Sequence, residues 1–286
     1  MKPISQGRKL GLAAAAGALL LVAALAVTAP RLSTATRSAL RAPAASPTPR
    51  PGDPIPLASV ADLTSLTATV NVDVNGLIDG ERAQGSLTGL LATNDQNNSR
   101  ITVSGSLLGD ITAQVGGSLV GLFTPSKVDL FKVPGSAYVV INGLLPICVK
   151  PDAPAATAAL DELSPQGLLT MLTAADVARG TLVGEETLDG RTVQHWVIDG
   201  DAFLAGAQAS SDPKLRAFGE SLWSAEDTDL YVDAKTGLPV ALRGSYSGEF
   251  EPMKFEGEFD VAIELTGANN NPRVELPGAC KKPISM

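Results

Sequence analysis

Residues 229–247, DLYVDAKTGLPVALRGSYS, constrain this chain more than any other stretch. Leu230 and Val232 alternate with Asp229, Tyr231 and Asp233; Ala234-Lys235-Thr236-Gly237 then supplies turn chemistry, and a second extended run starts at Leu238. Alternation, a glycine-bearing turn and renewed alternation describe an antiparallel hairpin. Pro239 has no N–H to give to a ladder, so it belongs at an edge, a bulge or the first residues of a strand. The stretch holds no nucleophile, metal cluster or phosphate loop. It is framework, and the rest of the chain has to build on it.

The preceding sequence has the same period. Val70, Val72 and Val74 alternate with Thr69, Asn71 and Asp73, with Asn75-Gly76 as a turn signal and residues 84–93 as the return strand. Residues 94–98 read as a polar turn, Ile101, Val103, Gly105 and Leu107 as the next strand, and Gly109-Asp110 as a turn before a long run over 111–123. Residues 128–133 and 137–141 pair around Pro134-Gly135. About six strands at hairpin spacing with no helix between them predict an antiparallel meander and exclude βαβ units.

Beyond Cys148 the period changes. Ser164 and Pro165 have N-cap and first-turn chemistry, and Leu168, Leu169 and Leu172 fall on one side of the helix they open. A hairpin around Asp189-Gly190 follows. Asp201 then opens a second helical segment with Phe203 and Leu204, and Asp212-Pro213 a third with Leu215, Phe218, Leu222 and Trp223 at helical spacing. A last strand sets Phe255, Phe259, Val261, Ile263 and Leu265 against Glu256, Glu258, Asp260 and Glu264. Ten to eleven strands with one apolar face each, few small helices and only 4% aromatics predict a mainly β (α+β) fold. The sheet is expected to be a curved antiparallel half-barrel that uses its helices as a plug on the concave face.

The net charge of −8 and pI near 4.7 carry no nucleic-acid footprint. Lys2, Arg8 and Lys9 precede an uncharged apolar run over residues 10–29, the pattern of an export signal. Its 20 residues suit an uncleaved membrane anchor, with a cleaved signal peptide as the other reading. Residues 30–57 are a Pro/Ala/Ser-rich linker, which leaves 58–286 as the folded domain. Two cysteines behind an export signal, Cys148 and Cys280, are expected to form a disulfide, the other reading being two separate buried thiols. The expected location is therefore extracytoplasmic, in the cell envelope, membrane-anchored or secreted.

Residues 180–199 (GTLVGEETLDGRTVQHWVID), a helical insertion and residues 229–243 together resemble the LolA-like lipoprotein-carrier superfamily, in particular the LppX/LprG-type exported lipoproteins. Gly184, Glu185, Asp189-Gly190, Asp233, Thr236, Gly237, Leu238 and Pro239 carry the likeness, and residues 163–172 are similar to the helix before this hairpin. The resemblance implies a U-shaped half-barrel whose helix-covered concave side holds the acyl chains of lipids or lipoproteins. This chain departs from the pattern in lacking the lipidated cysteine, and it adds the Cys148/Cys280 pair.

Catalytic chemistry finds no support. His195 is the single histidine, so no His-rich metal site exists, and no nucleophile elbow, phosphate loop or dinucleotide fingerprint is present. Asn71 to Gly76 imitates the first half of a calcium loop, but Arg82 stands where the ligating glutamate belongs. The expectation is a non-enzymatic, exported, membrane-associated carrier without cofactor or metal, which binds a lipid or acylated molecule. The ligand-facing candidates are Val72, Val103, Leu168, Leu172, Phe203, Phe218, Leu222, Phe259 and Ile263. The alternative is a surface interaction or regulatory module with a filled concavity.

Overall fold

The computed structural model describes residues 52–59, 62–108, 126–142, 146–150, 174, 176–250 and 254–285. The N-terminal apolar run, the run over 111–123 and the helix expected from Ser164, with Leu168 and Leu172, lie outside these residues. The first half contains β1 (Asp53–Pro54), β2 (Leu66–Ile78), β3 (Glu81–Thr93), β4 (Ser99–Ser104), β5 (Lys127–Val133), β6 (Ser136–Asn142) and β7 (Ile147–Lys150). The second contains β8 (Arg179–Leu188), β9 (Arg191–Ile198), α1 (Gly200–Ala209), α2 (Pro213–Ser221), β10 (Leu222–Ala225), β11 (Thr228–Asp233), β12 (Pro239–Phe250), β13 (Phe255–Ala268) and β14 (Ile284–Ser285).

The described strands form a single open sheet in the order β1-β8-β9-β11-β12-β13-β2-β3-β4-β5-β6-β7-β14, with β10 paired to β12. The path does not return on itself, so the barrel stays open. Two meanders, β2–β7 and β8–β13, are joined where β13 pairs β2 over most of the length of both. Every pairing is antiparallel except β7 with β14. The expected hairpin is β11–β12, with Pro239 as the first residue of its strand. Its loop is held by Asp233, whose carboxylate accepts from Lys235 N, Thr236 N and Thr236 Oγ1 at 2.7–3.0 Å, while Gly237 takes φ +71°.

Four local expectations need correction. The strand expected through Gly105 and Leu107 stops at Ser104, and Gly105 takes φ +134°. Asn75-Gly76 is not a turn: β2 runs through it to Ile78, and the chain reverses at Asp79-Gly80, where φ is +52° and +80°. A type I′ two-residue hairpin turn needs positive φ at both central residues, and Asp-Gly supplies them. Gly76 instead faces Gly257, whose φ of +153° and absent Cβ let the two backbones approach; a Cβ there would stand 2.5 Å from Gly76 Cα. The first described helix starts before Asp201, with Asp199 as its cap, accepting from Ala202 N at 2.9 Å. The second is capped as expected by Asp212 ahead of Pro213, yet it stops at Ser221. Leu222 and Trp223 belong to β10, and a bulge there leaves Trp223 54% exposed.

One face of the sheet is apolar almost from edge to edge. The register aligns Leu182, Trp196, Leu230, Leu242, Ile263, Val70, Gly89, Val103, Val128, Ile141 and Ile147 in one row across β8, β9, β11, β12, β13 and β2 to β7. A parallel row holds Leu265, Ala68, Leu91, Ile101, Leu130, Val139 and Val149. These side chains, Gly89 apart, share one core cluster with Phe203 and Ala207 of α1 and Leu215 and Phe218 of α2. The helices pack chiefly on β10 and β12. A second, smaller core on the other face gathers Phe131, Val140 and Cys148 under Val274 and Cys280 of the C-terminal tail.

Candidate functional site

The inner face is the candidate site. Phe203, Phe218 and Tyr246 meet with ring centroids 5.5–6.5 Å apart, and Tyr246, Phe250, Phe255 and Phe259 continue the stack across β12 and β13. Edge-to-face and offset arrangements of this kind add about 0.5–1.5 kcal/mol per pair beyond area burial. Tyr246 is the polar member. Its hydroxyl shares a 3.1 Å hydrogen bond with Thr228 Oγ1, and burial pushes its pKa up to about 12 despite that bond. Of the sequence candidates, Val72, Val103, Phe203, Phe218, Leu222, Phe259 and Ile263 are all buried in this one cluster. Phe203, Phe218 and Phe259 sit at the helix-covered end and Val103 beyond it, whereas Leu168 and Leu172 lie outside the described residues.

A strap closes one side. Beyond β1, which pairs with β8 at Arg179 and Gly180, Ile55 N donates to Ala178 O at 3.0 Å and Ala58 N to Gly237 O at 2.7 Å. Ile55 and Leu57 pack into the inner cluster, so this segment crosses the inner side of β8, β9 and β11 on a diagonal. No sequence pattern signals it, because a Pro-rich segment has no alternation to read. Trp196 of β9 lies on that side between Leu182 and Leu230 and is 3% exposed.

The outer face is polar. His195 places Nδ1 2.8 Å from Glu186 Oε1 and Nε2 2.7 Å from Asp229 Oδ1, and stacks on Tyr231 with centroids 4.6 Å apart. Three strands are tied together there. Asp129 is 4% exposed, and burial alone would raise its pKa; hydrogen bonds from Thr102, Arg100 and Asn142 and the Arg100 charge outweigh burial and hold it below the usual carboxylate value. A cavity of about 630 Å³ lies on this face, with Asp73, Asn75, Gln84, Ser86, Ser245, Ser247, Glu258 and Asp260 of the outward rows along its floor. An acyl chain there would strip water from several carboxylates at high cost, so this cavity does not suit one. Among the described residues, no three of His, Cys, Asp and Glu are gathered so as to hold a metal ion, and no helix is long and apolar enough to cross a membrane.

Cys148 and Cys280 are bonded, their Cα atoms 5.2 Å apart. The bond anchors the C-terminal tail on the outer core.

No protein-family model and no curated protein matches the chain. Among solved structures it is similar to LprF from Mycobacterium bovis, at 14% identity, 77% of this chain and 91% of that one, with a TM-score of 0.42. It is also similar to the Mycobacterium tuberculosis lipoprotein LppX, at 13% identity, 76% and 92% coverage and a TM-score of 0.33. A putative outer membrane lipoprotein-sorting protein domain from Vibrio parahaemolyticus aligns at 7% identity, 73% and 87% coverage and a TM-score of 0.22.

Proposed function

We propose that this protein is an exported, membrane-associated carrier that holds the acyl chains of a lipid or lipoprotein between the inner face of its half-barrel and the helices above it. The observation that carries this reading is the unbroken apolar row across eleven strands, from Leu182 to Ile147. The two described helices pack chiefly at its β10–β12 end. An inner face this broad, with no charged side chain in its apolar row, matches a long hydrocarbon chain, and each CH₂ buried against it contributes about 0.8 kcal/mol. Binding is non-covalent, and Val72, Val103, Phe203, Phe218, Leu222, Phe259, Ile263, Leu168 and Leu172 are the proposed contacts. The apolar run over residues 10–29 and the linker behind it fit a domain exported and held near a membrane.

The test is native mass spectrometry and lipid extraction of the full chain purified from a bacterial envelope, together with uptake of a fluorescent fatty-acyl probe. Co-purifying lipid and saturable uptake are expected. A protein that carries no lipid and takes up no probe rejects the reading.

A further inference from the structure

Two buried polar side-chain atoms lack a hydrogen-bond partner among the described residues: Asn98 Oδ1, in the β3–β4 turn, and Trp196 Nε1. The second is the informative one. An indole N–H is a donor only, and burying it unpaired costs about 1–3 kcal/mol. Buried tryptophans usually find a partner, so an orphaned one calls for an explanation. Trp196 occupies the place where the inner face changes character. Along the apolar row its neighbours are Leu182 and Leu230, and two residues up β9 is the buried Ile198. Two residues the other way is Gln194, paired with Glu185 of β8 on one side and with the buried Val232 of β11 on the other, so the inner face turns polar towards β8 one step from the indole. The strap of residues 55–58 passes over this boundary on two backbone hydrogen bonds.

We propose that Trp196 Nε1–H is the polar anchor of the ligand site and donates to a carbonyl oxygen at the head of the acyl chain, that of an ester or an amide. The inference rests on the carrier reading and names the chemistry that reading leaves open. A neutral acceptor fits better than a carboxylate or phosphate, because Glu185 stands on the same side and no cation lies in the row to offset a second negative charge. The hydrocarbon then extends from Trp196 along the apolar row, away from Gln194.

The full chain, kept in solution by a fluorinated surfactant that does not mix with hydrocarbon, is titrated with methyl laurate, laurate and tridecane, three probes of similar length. The ¹H–¹⁵N indole resonance of Trp196 is followed in the Trp223→Phe variant, which removes the one other tryptophan, an exposed one. Methyl laurate is expected to move the Trp196 indole proton downfield, tridecane to leave its shift nearly unchanged, and laurate to bind more weakly than the ester. Trp196→Phe should weaken methyl laurate about five- to tenfold, one net hydrogen bond, and leave tridecane within twofold. If all three probes bind but the indole resonance answers them alike and Trp196→Phe loses nothing specific to the ester, the anchor is refuted while the carrier reading stands. If no probe binds, both fall. The resonance is read without altering Trp196, so the outcome stays decisive even if Trp196→Phe folds poorly.

Discussion

At the scale of single residues, two buried polar groups contribute to the response of the fold to pH. Asp129 accepts from Arg100 and Asn142 at 2.8 Å, with the Thr102 hydroxyl on the same carboxylate. Its pKa is lower in the folded state than the roughly 3.9 of an unfolded aspartate. Its contribution is therefore complete above that value and is lost as pH falls through the folded pKa. Asp129→Asn should cost about 2 kcal/mol at neutral pH, because Arg100 loses its partner, and should flatten the fall in Tm between about pH 5 and 2 followed by calorimetry. Tyr246 has the opposite sign. Its folded pKa, about 12, stands above the unfolded value near 10, so its contribution is full below pH 10 and fades as pH rises towards 12. Absorbance at 295 nm should show one of the three tyrosines titrating last, and Tyr246→Phe should abolish that step and cost about 1 kcal/mol by leaving the Thr228 hydroxyl unpaired. Neither role could be read from the sequence: Asp129 and Thr102 look like ordinary alternating polar positions, and only β4–β5 pairing sets them opposite one another.

At the scale of elements, local chemistry predicted well wherever a turn had one low-energy solution. Asp189-Gly190, with φ of +48° and +76°, and Pro134-Gly135 reverse the chain as their residue types require, and Asp212-Pro213 opens a helix. Asn75-Gly76 had the same signal and was overruled. Pairing of β2 with β13 continues past it to Ile78 against Phe255, and the ladder bonds this secures outweigh the turn preference of two residues. Gly257→Ala should therefore be costly. Its Cβ meets Gly76 Cα and Asn75 O at 2.5 and 2.6 Å, and the φ of +153° suits only glycine, so a loss of about 2–4 kcal/mol in urea unfolding is expected. Trp223 shows a second limit. Leu215, Phe218, Leu222 and Trp223 do keep helical spacing, yet Leu222 N–H already caps the helix on Gly219 O and the chain leaves as a strand, because β12 offers Gly248 as a pairing partner.

At the scale of the whole molecule, the Cys148–Cys280 bond closes a separation of 132 residues and pins the tail over the outer core of Phe131 and Val140. The chain-entropy model puts its stabilisation near 5 kcal/mol. Cys148→Ser with Cys280→Ser should lower the unfolding free energy by about 2–5 kcal/mol and raise hydrogen exchange in β7 and residues 274–285 before the β2–β13 ladder is affected. The sequence by itself determined the antiparallel class, the alternation that makes one face apolar, the chief hairpins and the identity of the cysteine pair. These depend on periods of two residues and on turns a few residues long, which neighbours in the chain decide. Only the tertiary structure decided that β13 joins β2, that the strap over residues 55–58 crosses the inner face, and that Trp196 is left with an unpaired N–H where that face turns polar. Those outcomes depend on which distant strands compete for the same ladder and the same apolar surface. No local pattern encodes that competition; the fold as a whole settles it.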